Sequence, residues 1–195
     1  RRKISQNDIP DLLAKWIDKP KTKNSFWVDI DIIEKNDYKL NLNNYTIQED
    51  RTSLKYPMKK LSEICLDIKG GGTPSRINPT YWNGNIKWVT IGDLTSQFIK
   101  DTKEKISELG LQESNTKLLP KGTVLISIFA TLGEVAILDC EATTNQAIVG
   151  LIVNPEIINN KFLYYILKAK KDFIDGLGRG VAQRNINLSI LKDIK

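Results

Sequence analysis

The sequence predicts an α+β fold: a single domain of mixed, mostly antiparallel strands that ends in one long C-terminal helix, with a small α/β appendage at the N-terminus. From residue 58 to residue 153, short β-branched runs are separated by loops rich in glycine, asparagine, serine and threonine, a pattern typical of strands. Residues 159–175 instead place apolar side chains at helical spacing. Strands and a helix in separate stretches favour an α+β domain.

Residues 1–56 differ in local sequence pattern from the rest of the chain and are expected to form the appendage and a linker. The first helix is predicted from apolar side chains at helical spacing and from Pro10 in its first turn. The expected helix, short strand and helical turn lie at residues 9–17, 26–28 and 30–34. Residues 48–53 are polar and mixed in charge, as in a linker. The predicted domains are therefore residues 1–56 and residues 57–195.

The second domain is expected to contain five strands, because five short apolar runs are bounded by turn residues. They lie at residues 66–69, 86–90, 123–129, 135–139 and 147–153. The long helix over residues 159–175 follows, and a glycine-punctuated loop at residues 176–180 ends it. An apolar segment, residues 186–194, closes the chain.

The composition disfavours an enzyme. The chain has no histidine and two cysteines, which removes serine–histidine and cysteine–histidine catalysis and leaves too few ligands for a structural zinc site.

Cys65 and Cys140 lie in apolar contexts and are expected to be buried free thiols of a cytoplasmic protein. No apolar run approaches the length of a membrane span. Lysine and arginine outnumber aspartate and glutamate by 29 to 23, a balance that leans toward polyanionic partners.

A glycine-rich stretch, K-G-G-G-T-P-S-R at residues 69–76, looks at first like a cradle for a nucleotide phosphate. A P-loop requires lysine and then serine or threonine after its last glycine, whereas here Thr73 and Pro74 follow. The dinucleotide fingerprint requires a third glycine where Ser75 stands. The glycines are therefore expected to form a turn with positive φ, and Pro74 is expected to stiffen the chain where it leaves the turn.

Other basic side chains lie beside polar turn residues, where they could bind phosphate or form an ordinary solvated loop. They are Lys87, Lys117, Lys121, Arg179 and Arg184. The run Gln183-Arg184-Asn185 is of particular interest, because all three side chains can contact base edges in a bidentate way. The two tryptophans that flank the Asn83-Gly84 turn, Trp82 and Trp88, are expected in the core rather than as platforms for base stacking.

Several motifs that occur in one order resemble a known family. From Lys60 onward the chain reads K-L-S-E-I-C, G-G-T-P-S-R, Y-W-N-G-N-I-K-W-V-T-I-G-D-L, K-L-L-P-K-G-T-V-L-I-S, A-T-L-G-E-V-A-I, T-N-Q-A-I and G-R-G-V-A-Q-R-N-I-N. This order is similar to that of a target-recognition domain of type I restriction–modification specificity (S) subunits, over residues 58–195. The first segment reads R-R-K-I-S-Q-N-D-I-P-D-L at residues 1–12 and I-I-E-K-N-D-Y-K-L-N-L-N-N-Y at residues 32–45. On these runs, residues 1–56 resemble the C-terminal end of an adenine-N6 DNA methyltransferase (M) subunit. A fused parent polypeptide, of which this chain is a piece, is the resulting hypothesis.

The resemblance implies a non-catalytic domain that reads one half-site of double-stranded DNA. It would direct adenine-N6 methylation by a methyltransferase subunit, which uses S-adenosylmethionine, and cleavage by a restriction (R) subunit. The motifs A-T-L-G and T-N-Q would hold the scaffold, with Gly133 in a tight turn and with Asn145 and Gln146 hydrogen-bonded to the backbone. The expected DNA-binding residues are Ser75, Arg76, Lys87, Lys117, Arg179, Gln183, Arg184 and Asn185. The alternative is a non-catalytic protein-interaction scaffold.

Overall fold

The computed structural model describes residues 10, 13–14, 16–18, 27–40, 57–178 and 185–195. The chain divides into two compact units, Arg1–Leu54 and Lys55–Lys195. In the first unit Pro10, Leu13 and Ala14 are helical, and helix α1 spans Ile30–Lys35.

Helix α1 confirms the helical turn predicted at residues 30–34. The strand predicted at residues 26–28 is wrong where it is described, since Trp27 and Val28 form no strand. The reason is the next residue: the Asp29 carboxylate accepts a hydrogen bond from the backbone N–H of Asp31 and so caps α1. Phe26, and Ile9 and Leu12 of the predicted first helix, lie outside the described residues.

Within the described part of the second unit, the strands form a five-stranded and a three-stranded sheet. The larger sheet has the order β1–β8–β5–β6–β3, with β1 Cys65–Gly70, β3 Phe98–Ile99, β5 Val124–Ser127, β6 Val135–Leu138 and β8 Ile148–Val153. Its neighbours are antiparallel, except that β3 runs parallel to β6. Strands β5 and β6 are buried along their whole length, which is why their sequences are apolar apart from Ser127. The predicted strands and the α+β class are confirmed.

The smaller sheet has the order β4–β2–β7, with β2 Trp82–Val89, β4 Glu104–Ile106 and β7 Thr143–Thr144. The turn predicted at Asn83-Gly84 is wrong, because β2 begins at Trp82 and passes through it. Asn83 takes a φ of 59°, and the register with β4 shifts between Trp82 and Ile86. The Asn-Gly pair is therefore a bulge within one strand.

The described helices of the second unit are α2 Leu61–Ile64, α3 Glu108–Gln112, α4 Asn160–Ala169, α5 Lys171–Leu177 and α6 Leu188–Asp193. The single helix predicted over residues 159–175 is wrong, because it breaks between α4 and α5 at Lys170, whose ψ is 9°. At the break the chain bends around the β5–β6 turn, where Lys171 pairs with Glu134 and Ile174 packs against Gly133. The predicted glycine loop also begins later than expected, since α5 continues through Leu177.

Both faces of the five-stranded sheet are covered. Val124 and Ile126 pack with Leu163 and Leu167 of α4, whereas Leu125, between them, belongs to a second apolar cluster on the other face. This alternation is the two-residue period of a strand. The sheet is therefore a rigid platform for the loops at its ends.

Both cysteines are free thiols, as predicted, but they are half-buried rather than buried. Burial raises the pKa of the Cys65 thiol to about 11.

In the described ranges, no helix has both the length and the apolar content that a membrane crossing requires.

Candidate nucleic-acid interface

Loops from distant parts of the chain meet at one end of the five-stranded sheet, which we call the loop end. Strands β1 and β5 finish there and β8 begins there, since Gly70 pairs with Val149 and Ser127 pairs with Ile148. Asn185 reaches the same end through a bridge with Phe129. The loop end consists of residues 71–78, 128–134, 145–147 and 185.

Gly71 and Gly72 bring β1 into the loop end by close contact with other backbone segments. The Gly71 N–H donates to the carbonyl of Ile148 at 3.1 Å, and the Gly72 N–H donates to that of Thr144 at 2.9 Å. A Cβ added at Gly71 would lie 2.1 Å from the Asn145 carbonyl oxygen, and one at Gly72 would lie 2.5 Å from the Thr116 nitrogen. Neither glycine has a positive φ, so the predicted positive-φ turn is wrong. Glycine is needed at both positions because the neighbouring backbone segments lie too close to leave room for a Cβ.

The loop that follows these glycines is anchored along its length. The Thr73 hydroxyl donates to the side-chain oxygen of Gln146, and the Trp82 indole N–H donates to the Ser75 carbonyl at 3.1 Å. At the end of the loop, the Asn78 side chain caps a 3-10 turn, Pro79–Tyr81. A hydrogen bond from Gln146 to the backbone was predicted, whereas the bond that the structure describes joins its side chain to that of Thr73. These anchors hold Ser75 outward, exposed to solvent.

Arg76, a predicted phosphate contact, is already engaged in the structure. Its guanidinium donates to both carboxylate oxygens of Glu104, at 3.1 and 2.6 Å, and lies 3.7 Å from the ring centroid of Trp82. Trp82 meets Trp88 edge to face, with centroids 5.0 Å apart. Trp88 is 2% exposed, which confirms its place in the core, whereas Trp82 is half-buried. The Arg76 charge is neutralised, so the side chain ties the loop to β4.

Of the predicted cations that the structure describes, Lys87 and Lys117 remain available to a phosphate. Neither forms an ion pair with a carboxylate in the ranges that the structure describes. Lys87 lies directly opposite Lys105 on β4, and like charges opposite each other destabilise a sheet. The Asp101 carboxylate, 3.4 Å from the Lys105 ammonium, compensates part of this repulsion. The backbone N–H of Thr102, and then Lys105, hold the pKa of Asp101 below its usual value.

Lys117 lies beside the glycine-rich loop, because the preceding residue, Thr116, is the one that Gly72 approaches so closely. Its side chain is exposed. The Thr116 hydroxyl donates to the Thr144 carbonyl at 2.9 Å, which fixes the backbone that carries Lys117. The exposed ammonium therefore lies on a fixed segment next to the loop end.

The β5–β6 connection contributes an exposed tip that the sequence prediction assigned wholly to the scaffold. Gly133 has a φ of 75°, and its N–H donates to the Ser127 carbonyl at 3.0 Å, which confirms the tight turn. Ala130 has a φ of 60°, which is unusual for a residue with a Cβ. Ala130 and Thr131 are exposed while Leu132 is buried. The exposed tip therefore contains a strained residue, and no sequence pattern signals it.

The structure gathers several predicted contact residues at the loop end. Ser75, Arg76 and Asn185 belong to it, and Lys117 lies beside it. Lys87 lies on the adjoining small sheet, which joins the loop end where the Asn145 N–H donates to the Val89 carbonyl at 3.0 Å. The Asn145 side chain also accepts from the Ala147 N–H at 3.1 Å, which confirms its predicted hydrogen bond to the backbone.

The other predicted residues, Arg179, Gln183 and Arg184, lie outside the described residues. The two described residues that flank them are close together, since a Cβ added at Gly178 would lie 3.7 Å from the Asn185 nitrogen. In the part of the chain that the structure describes, no cluster of acidic and cysteine side chains is suited to hold a metal ion.

Comparisons with known proteins show the family to which the second unit is similar. Residues 53–195 match the family model described as "Type I restriction modification DNA specificity domain". The chain is 30% identical over 145 residues to the type I restriction enzyme MjaIX specificity subunit of Methanocaldococcus jannaschii, covering 72% of this chain and 33% of that protein. It is 31% identical over 147 residues to the HindI specificity subunit of Haemophilus influenzae, covering 72% and 31%. The chain therefore spans about a third of the length of these relatives.

Among solved structures, the HsdS subunit from Thermoanaerobacter tengcongensis has a similar fold. Its TM-score is 0.55 at 17% identity, and the match covers 72% of this chain and 34% of that one. At this identity the likeness concerns the fold alone.

Proposed function

The chain belongs to the family of type I restriction modification DNA specificity domains, and from this premise we propose that it reads one half-site of double-stranded DNA. In this proposal the chain does not catalyse. It positions a methyltransferase (M) subunit, which supplies S-adenosylmethionine chemistry at an adenine N6, and a restriction (R) subunit, in the cytoplasm. The observation that carries the proposal is the loop end, where loops from distant segments converge on one edge of a rigid sheet.

The anchoring of the loop end supports base recognition. A reading side chain must be held within about 0.5 Å of its productive position, and here the loops are fixed by backbone close approach, side-chain hydrogen bonds and a tight turn. Ser75, Thr131 and Asn185 are exposed polar side chains on these fixed loops. Hydroxyl and amide groups are those that read base edges in the major groove. We assign base recognition to this set.

Phosphate binding is assigned to Lys87 and Lys117. Lys87 and its cross-strand neighbour Lys105 repel each other, and a phosphate between them would relieve this repulsion. Each neutralised phosphate releases counterions, so about five contacts would give a log–log salt slope of about −4 to −5. Arg76 is not assigned to phosphate, because its guanidinium is already paired with Glu104. Its proposed role is to hold the glycine-rich loop in position.

Arg179, Gln183 and Arg184 stay in the proposal as predicted contacts. We expect Arg184→Ala to relax or abolish site preference, because a bidentate base contact is worth about 1–3 kcal/mol of discrimination. Lys117→Ala should weaken cognate and random duplexes alike. The matched control is Lys161→Ala, since this exposed lysine lies near the opposite end of the sheet, where neighbouring Asn160 donates to the Gly122 carbonyl. Equal effects of the first two substitutions on cognate and random DNA would contradict the division of roles.

Residues 1–56 are proposed to be the C-terminal tail of a methyltransferase within a fused parent polypeptide. Their resemblance to methyltransferase tails supports the proposal. A parent reading frame that has no methyltransferase domain upstream of this chain would refute it.

The decisive experiment is selection of bound duplexes from a random library, carried out at two salt concentrations. A short enriched motif supports the proposed function. Salt-sensitive binding without a motif leaves only general affinity for DNA, and no binding favours the protein-interaction scaffold. Because the chain spans about a third of its relatives' length, a negative result is repeated with the methyltransferase attached.

A further inference from the structure

Ile77 is a large apolar side chain that projects from the loop end into solvent. It is 94% exposed, although isoleucine is among the residues most often found buried. It occupies the tip of the loop that begins at the triple glycine. Among the large apolar side chains of the described residues, Ile77 is the most exposed.

The exposure of Ile77 does not come from a loose loop. On one side, the Trp82 indole holds the Ser75 carbonyl, and Glu104 holds the Arg76 guanidinium at two oxygens. On the other side, the Asn78 side chain accepts from the backbone N–H of Thr80 at 3.1 Å. Isoleucine is also β-branched, so few rotamers are open to it. The methyl groups of Ile77 are therefore held in a restricted outward position.

The charge around Ile77 argues against a place on the DNA backbone. The cation next to it in the chain, Arg76, is already paired with the Glu104 carboxylate at 2.6 Å, and Ile77 itself carries no charge for a phosphate. An uncharged, apolar tip instead suits a base edge. In the major groove, the apolar group on the base edges is the C5-methyl of thymine.

We propose that Ile77 is a specificity-determining residue that contacts the C5-methyl group of a thymine in the recognised half-site. This inference rests on the proposed function and deepens it, because it names the base and the atom that one loop reads. The contact would remove a methyl group from water on both sides. Its contribution depends on the thymine methyl and on the Ile77 side chain together.

The test replaces each thymine of the enriched motif by uracil, which lacks only the C5-methyl group. The full chain should bind about fourfold more weakly when one particular thymine is replaced, the factor that corresponds to one buried methyl group. Ile77→Ala should bind the thymine duplex at least about fourfold more weakly than the unsubstituted chain. It should also bind the thymine and uracil duplexes equally.

Ile157→Ala is the matched control. Ile157 is also an exposed isoleucine, at 44%, but it follows β8 at the end of the sheet opposite to the loop end. This variant should retain the full chain's preference for thymine over uracil. Urea unfolding of both variants should show unchanged stability, since neither side chain is in the core.

The outcomes separate this inference from the proposed function. Failure to enrich any motif, with the methyltransferase attached as well as without it, refutes the proposed function and this inference with it. An enriched motif without thymine, or an Ile77→Ala variant that keeps the preference for thymine over uracil, overturns the inference alone. A variant that binds DNA normally but no longer assembles with the methyltransferase shows that Ile77 contacts protein, and this also overturns it.

Discussion

Alanine substitutions at three consecutive glycines test the structure directly. Gly70, Gly71 and Gly72 are adjacent and chemically identical, yet the space around each Cβ position differs. A Cβ at Gly70 would meet only the Leu188 Cδ1 atom, at 3.9 Å. At Gly71 and Gly72, it would meet backbone atoms at 2.1 and 2.5 Å. We expect Gly70→Ala to be tolerated and the other two substitutions to be damaging.

The magnitude follows from the atoms that must move. Real Cβ atoms essentially never approach other heavy atoms closer than 3.0 Å, so the backbone itself must shift at residues 71 and 72. Overpacking costs about 1–3 kcal/mol, and disturbing the hydrogen bond of the Gly71 or Gly72 N–H adds about 1 kcal/mol. Each substitution should therefore lower the free energy of unfolding by about 2–4 kcal/mol. Gly70→Ala should raise it by about 0.5 kcal/mol, because alanine loses less backbone entropy in a strand.

Urea unfolding at 25 °C, followed by circular dichroism and by tryptophan fluorescence, measures these differences. With a urea slope of about 1–3 kcal/mol per molar, the damaging substitutions should lower the midpoint by about 1 M or more. The positions within one triplet serve as each other's controls. Equal destabilisation at all three glycines would show that the loop needs their flexibility and would refute close approach as the reason.

Four further predictions concern other parts of the second unit. Glu104→Gln should lower the free energy of unfolding by at most about 1 kcal/mol, since the pair of Glu104 with Arg76 is exposed. It should nevertheless reduce the site preference in the duplex selection. An unchanged preference would contradict a positioning role for Arg76. Ile126→Ala should lower the free energy of unfolding by about 2–5 kcal/mol in urea, because Ile126 is fully buried. Iodoacetamide at pH 8 should alkylate Cys65 about 200-fold more slowly in the folded chain than in 8 M urea. A pKa of about 11 leaves roughly one thiol in 1,000 ionised, whereas about one unfolded thiol in four is ionised. Equal rates by mass spectrometry would contradict its burial. Since the unfolded thiol ionises first, this burial should also lower the free energy of unfolding as the pH rises from about 8.5 through about 11.

The strands that the sequence predicted are those whose burial leaves a local pattern. Residues 124–127 and 135–138 are buried on both faces, so every side chain in them is apolar or small. The strands that it missed, β3, β4 and β7, have two or three residues each. So short a segment has no period of its own, and it becomes a strand because a partner lies next to it. The break at Lys170 was missed for a similar reason, since Leu163, Leu167 and Ile174 would also share one face of a straight helix.

The candidate site was predictable as a set of residue types but not as an arrangement. Arginine, lysine and amide side chains beside turns point to nucleic acid from sequence alone. Whether a given cation is available depends on its neighbours. Arg76 is neutralised by Glu104, 28 positions away, whereas Lys87 lies opposite another lysine. Ile77 and Thr131 carried no sequence signal, because their exposure depends on anchors that are distant in the chain.

The sequence by itself determined the fold class, the buried strands, the absence of histidine chemistry and the family, because these depend on composition, local period and the order of motifs. Only the tertiary structure decided which loops meet, which cation is neutralised and which glycines are required. Gly71 and Gly72 show the difference most plainly. Their sequence suggests turn flexibility, whereas their backbones are in van der Waals contact with residues 116 and 145. Contacts of this kind join segments far apart in the chain, and a local pattern cannot report them.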